Sequence, residues 1–195
     1  MMKKIIKVIL PIIMLLVLNL RIYMVNNKAE KSISEKITKG DIAQIGDNYF
    51  ETDDEMMNGY SVKVLDSEIV KADEYLEKFG HSIDEQMYSD LEYYYIVSVS
   101  IRNDDNQYVG EKGIDFGRWY LQGDDYILRV EDFAYSLCNT TVGGSLSISL
   151  RENSEMTFIL PFYMFSGTHS FKKISANAPE LVITDYPVKL TMEMS

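Results

Sequence analysis

Residues 91–102 alternate without a break. Leu91, Tyr93, Tyr95, Val97, Val99 and Ile101 fall on one side of an extended chain. Glu92, Tyr94, Ile96, Ser98, Ser100 and Arg102 fall on the other. A β-strand sends successive side chains to opposite faces, so one face of this strand is wholly apolar or aromatic and the other ends polar. That is the pattern of a sheet packed on one side, and it commits the chain to burying a sheet face.

Other stretches repeat the period. Tyr60–Val64 alternates, and Glu68-Ile69-Val70 resumes after Asp66-Ser67, where a bulge or turn fits. Gly113–Leu121 reads as one strand, which Gln122–Asp125 turns into Tyr126–Val130 as a hairpin. Leu146–Leu150 alternates, Met156–Leu160 forms a strand capped by Pro161, and Val188–Met194 sets four apolar residues against three polar ones. Asn103–Asn106, Gly143-Gly144 and Arg151–Ser154 supply turn chemistry. Ala72, Tyr75, Leu76 and Phe79 share a helical spacing ahead of Gly80, which predicts one short helix with a glycine stop. Asp132–Thr141 is mixed. Roughly seven short strands and little helix predict an all-β fold, an antiparallel β-sandwich over residues 48–195.

Ahead of this domain, Lys3, Lys4 and Lys7 lead into the apolar run Ile5–Val25, the layout of an export signal. The run has about the 20 residues a bilayer-spanning helix needs. No pair of small residues between Leu18 and Asn27 offers a cleavage site, and no cysteine follows for a lipid. Residues 1–25 are therefore expected to stay as a single-pass signal anchor with the C-terminal domain extracytoplasmic; secretion after cleavage is the alternative. Residues 26–47 are expected to form a polar linker. Ile33 and Ile37 allow a short helical stalk, and a flexible spacer is equally compatible.

The net charge is −11 overall, and residues beyond 25, where 30 acidic residues face 15 basic ones, carry −15. Such a surface repels phosphate backbones, so nucleic acid is excluded as a partner. It also disfavours anionic headgroups, leaving attachment to the apolar helix. Cys138 stands alone, so no intrachain disulfide forms, and it is read as a small buried apolar residue.

Chemistry-bearing patterns are sparse. His81 and His169 lack zinc-ligand spacing. Asp53-Asp54, Asp104-Asp105 and Asp124-Asp125 miss the spaced calcium-loop pattern and suit solvated turns. Ser145, Ser147 and Ser149 have no nucleophile elbow and read as an exposed strand face. Three glycines between Gly110 and Gly117 lack phosphate-loop spacing. Asn139-Thr140-Thr141 matches a glycosylation sequon. Tyr94, Trp119 and Tyr120 are possible members of an aromatic patch, although packing explains them better. No catalytic, metal or cofactor residue is assigned.

Asn48–Thr52, Asn58–Val62, the tyrosine-rich strand and Met156–Pro161 together resemble a family of small exported or membrane-anchored proteins of Gram-positive bacteria, known as a domain of unknown function. More loosely the pattern is similar to telokin-like, immunoglobulin-like sandwich domains of bacterial surfaces. The resemblance spans about Asp47–Ser195. It implies an immunoglobulin-like sandwich and brings no catalytic residues.

The expected function is a non-enzymatic, membrane-anchored module that binds a protein, a peptide or a cell-wall component. Two alternatives stand beside it. One is an envelope-polymer hydrolase with carboxylates such as Asp115 or Asp132 assembled by folding. The other is an accessory subunit of a membrane complex.

Overall fold

The computed structural model describes residues 14–24, 33–52, 55–82, 90–108, 110 and 113–194. The chain divides into two compact units, Met1–Ser32 and Ile33–Ser195. In the first, residues 14–24 form helix α1. Its large apolar side chains are between 50% and 68% exposed, and Asn19 donates to the Leu15 carbonyl at 2.9 Å. No helix of the described residues is long and apolar enough to cross a membrane. The rest of the expected span, residues 5–13 and 25, lies outside the described residues.

The second unit is mostly β. Its strands are β1 (Ile33–Ile37), β2 (Ile42–Gln44), β3 (Tyr60–Lys71), β4 (Leu91–Asn103), β5 (Ile114–Asp115), β6 (Tyr120–Gln122), β7 (Ile127–Arg129), β8 (Ser147–Ile148), β9 (Ser154–Phe165), β10 (Glu180–Thr184) and β11 (Val188–Glu193). Three short helices join them: α2 (Ala72–Glu77), α3 (Asp132–Cys138) and α4 (Phe171–Ala176). The strands form open sheets in the orders β1-β11-β10-β6-β7 and β2-β3-β4-β9, with β5-β8 as a separate pair. Val62 and Val64 of β3, Val97, Val99 and Ile101 of β4, and Phe158 and Leu160 of β9 share one core with Leu121, Leu128, Leu181, Leu190 and Met192 of the other sheet. This is the arrangement of a β-sandwich. Each such fully buried side chain contributes about 1.5–3 kcal/mol relative to exposure.

The alternation of Leu91–Arg102 holds through β4, and the register shift between Val64 and Asp66 is the break read at Asp66-Ser67. α2 stops as expected: Gly80 has φ +76°, and its N–H donates to the Glu77 carbonyl. The outer face of β4 differs from expectation. Tyr94 and Ile96 are buried with Tyr75 and Leu76 of α2 and Ala134 of α3 in a second cluster. That sheet is therefore covered on both sides at one end.

Several boundaries move. Residues 33–47, expected in a linker or stalk, supply β1 and β2. β1 runs parallel to β11, pairing Glu35 with Leu190, so the sheets are not wholly antiparallel. Gly113–Leu121 is not one strand: residues 116–118 turn, and β5 and β6 join different sheets. Leu146–Leu150 yields only the short β8. Asp132–Thr141 contains α3, and β10 went unread. Pro161 does not cap its strand but lies inside β9. The Pro161 carbonyl accepts from Glu131 N–H at 2.8 Å, away from β4. A strand residue points its carbonyl and amide to the same side, so the missing proline N–H falls on the outer edge and removes no ladder bond.

That edge is sealed by the segment 131–139. The Asn139 amide donates to the Ile159 carbonyl at 2.7 Å and accepts from the Ile159 N–H at 3.1 Å, standing in for a neighbouring strand. The buried Glu131 carboxylate starts α3, accepting from the N–H groups of Ala134 at 2.6 Å and Phe133 at 3.3 Å.

Candidate ligand-binding cleft

Residues 50, 52, 55 and 57, residues 113–115 and 118, and residues 147–149, three groups far apart in sequence, line a cleft of about 630 Å³. β5 and β8 form its wall, with Ile114 opposite Ile148 and Asp115 opposite Ser147. Gly113 makes this approach possible, because a Cβ there would sit 2.1 Å from the Ile148 carbonyl oxygen. Phe50, Met57, Ile114 and Ile148 contribute apolar surface; Glu55, Asp115, Arg118, Ser147 and Ser149 contribute polar groups. Cavities of this size with a few convergent polar groups are the usual form of small-ligand sites.

Glu55 organises one side. Its Oε2 accepts from Phe50 N–H at 2.8 Å, and its Oε1 from Glu51 N–H at 2.8 Å and Thr52 N–H at 3.3 Å. The same Oε1 meets Arg118 Nη1 at 2.8 Å, with the Glu55 side chain only 12% exposed. Arg118 also pairs with Glu51 at 3.0 Å and with Asp115 at 3.6 Å. Burial works against the Arg118 charge, but Glu55 and Glu51 outweigh it and hold its pKa above the ordinary value. Asp115 Oδ1 accepts from Gly117 N–H at 3.0 Å, closing the turn.

The structure brings Asp115 into the cleft. Asp132 is exposed in the first turn of α3 and does not line it. Ser147 and Ser149 reach the cleft, while Ser145 donates to the Ser147 carbonyl. Ser149 accepts from Gly110 N–H at 3.0 Å.

The other sequence candidates are dispersed. His81 packs on Phe133, and His169 on Tyr126 and Phe165. Asp104 pairs with Arg102 and Asp125 with Lys173, whereas Asp53-Asp54 lie outside the described residues. Among the described residues no three His, Cys, Asp or Glu side chains converge on a metal position. Tyr94, Trp119 and Tyr120 are all buried, so they form no exposed patch. The sequon is closed, because Asn139 is buried with its amide bonded to Ile159. Cys138 is half-buried; burial pushes its thiol pKa up, away from the reactive thiolate.

Glu55 and Arg118 were not found from sequence. They are 63 residues apart, and neither belongs to a local pattern.

Residues 34–190 match the family described as a domain of unknown function, DUF5028. The chain belongs to that family. The DUF5028 match begins within β1, in agreement with a folded unit that starts at Ile33 rather than at residue 48. No curated protein and no solved structure matches the chain.

Proposed function

We propose that this DUF5028 chain is a non-enzymatic binding module, an immunoglobulin-like β-sandwich of the telokin-like kind. It is tethered to the outside of a Gram-positive cell by a helix within residues 1–25, and its ligand is a protein, a peptide or a cell-wall component. One observation carries the binding role. The cleft is preformed, and the charges around Glu55 and Arg118 are tied to one another and to the backbone, as suits a shaped surface more than a proton-transfer centre. The tether is supported by the lysine-led apolar run and by the exposed apolar side chains of α1.

Alkaline carbonate extraction, with protease treatment of intact protoplasts, tests the tether. The full chain should stay with the membrane and its domain should be digested from outside; release by carbonate, or protection from protease, would sink the topology. The hydrolase alternative draws on Asp115 in the cleft. Release of soluble fragments from purified envelope polymers, lost in Asp115→Asn, would replace the binding role by that one. The accessory-subunit alternative predicts co-purification of a membrane partner in detergent that disappears when residues 1–25 are removed.

A further inference from the structure

The cleft walled by β5 and β8 selects by charge and by shape. Its floor is apolar: Phe50, Met57, Ile114 and Ile148 all line it and all are buried. Beside that floor one cation stands among three carboxylates. Arg118 is held by Glu55 at 2.8 Å, by Glu51 at 3.0 Å and by Asp115 at 3.6 Å, so negative charge is in excess. An anionic ligand would have to displace these carboxylates from the guanidinium. It would also approach a domain where 30 acidic residues face 15 basic ones beyond residue 25.

The carboxylates are not equally engaged. Glu55 commits both oxygens to backbone N–H groups and to Arg118. Asp115 does not. Its Oδ1 closes the turn at Gly117, but its Oδ2 lies 3.6 Å from Arg118 Nε, too far for a hydrogen bond, and the side chain is 42% exposed. Ser147 is its partner across the strand pair, so both side chains leave the same face and the exposed hydroxyl falls beside the carboxylate. A carboxylate and a hydroxyl next to an apolar floor suit a charged head on an apolar stem, the form of a lysine or arginine side chain.

Main chain lines the cleft as well. Gly110 and Gly113 present only backbone, and residues 113–115 and 147–149 face it consecutively although alternate side chains point opposite ways. Among the described residues β5 and β8 pair only with each other, which leaves an outer edge on each for the main chain of an extended ligand. We propose that the cleft binds an extended peptide segment that sets a lysine or arginine against Asp115 and Ser147 and neighbouring apolar side chains against the floor. This rests on the binding role above and names a cationic peptide as the ligand of the same cleft.

Fluorescence anisotropy tests this with a labelled five-residue peptide alternating valine and lysine, titrated with the full chain in nonionic detergent; empty micelles are the blank. A valine–glutamate peptide is the charge-reversed probe. The valine–lysine peptide should bind, the valine–glutamate peptide should not, and added salt should weaken binding. Asp115→Asn keeps the Oδ1 that closes the turn and should weaken binding about fivefold, the worth of a partly exposed charge pair. Ser147→Trp fills the cleft without changing its charge and should abolish binding. Asp124→Asn makes the same change of net charge at an exposed turn outside the cleft and should leave binding unchanged. Far-UV circular dichroism should be the same for all three variants. Equal affinity for both peptides, each lost in Ser147→Trp, overturns the cationic ligand and leaves the binding role to the cleft. Binding that Asp124→Asn weakens as much as Asp115→Asn, or that Ser147→Trp leaves intact, lies outside the cleft and also overturns it. Binding of neither peptide overturns the cationic ligand alone.

Discussion

At the scale of single residues, Glu55 and His169 show how one side chain governs a loop. Glu55 gathers three N–H groups and one guanidinium onto a mostly buried carboxylate. Glu55→Ala leaves these donors and Arg118 without their acceptor, and should cost about 3 kcal/mol in urea unfolding. His169 accepts the Phe165 N–H at Nδ1, 3.0 Å away, which requires the ring to be neutral there. Burial lowers its pKa from the ordinary 6.5. The unfolded chain therefore takes up the proton first as the pH falls. Stability should be insensitive to His169 above about pH 6.5, decline between the unfolded and folded pKa values, and level off below the folded one. Thermal midpoints followed from pH 8 to 4 should show this decline in wild type, and a shallower one in His169→Asn.

At the scale of elements, the structure manages its sheet edges by two devices. β9 is closed by the Asn139 amide and the Glu131 N–H. Asn139→Ala would expose one donor and one acceptor of Ile159, and should destabilise the domain by about 2 kcal/mol in chemical denaturation. β1 is an outer strand of its sheet. Glu35 pairs with Leu190 and is exposed, so a charge stands on this edge, which discourages edge-to-edge pairing. Glu35→Val should keep the fold but make the protein associate, visible as mass rising with concentration in light scattering.

At the scale of the whole molecule, the folded unit begins at Ile33. A fragment of residues 33–195 should unfold in one cooperative transition. A fragment of residues 48–195 lacks β1 and β2, uncovering an edge of β11 and of β3. Its melting temperature should fall by at least several degrees, as read by circular dichroism.

Local periodicity was sufficient for the β class, the long strand at Leu91, the break at Asp66 and the helix stopped by Gly80, because each depends on neighbours within a few residues. The same local signals misjudged Pro161, whose tolerance depends on which side of β9 is paired. They also misjudged Tyr94, whose polar-looking face is covered by α2 and α3. β1 escaped notice because an edge strand exposed on both sides has no alternation to read. The cleft joins residues such as Glu55 with Arg118, brought together only when distant segments meet. The sequence by itself determined that the chain folds as sheets and carries an apolar, lysine-led N-terminal run. Only the tertiary structure decided where the domain begins, which edges are sealed and where a ligand-sized surface forms, since these depend on long-range pairing that no local pattern encodes.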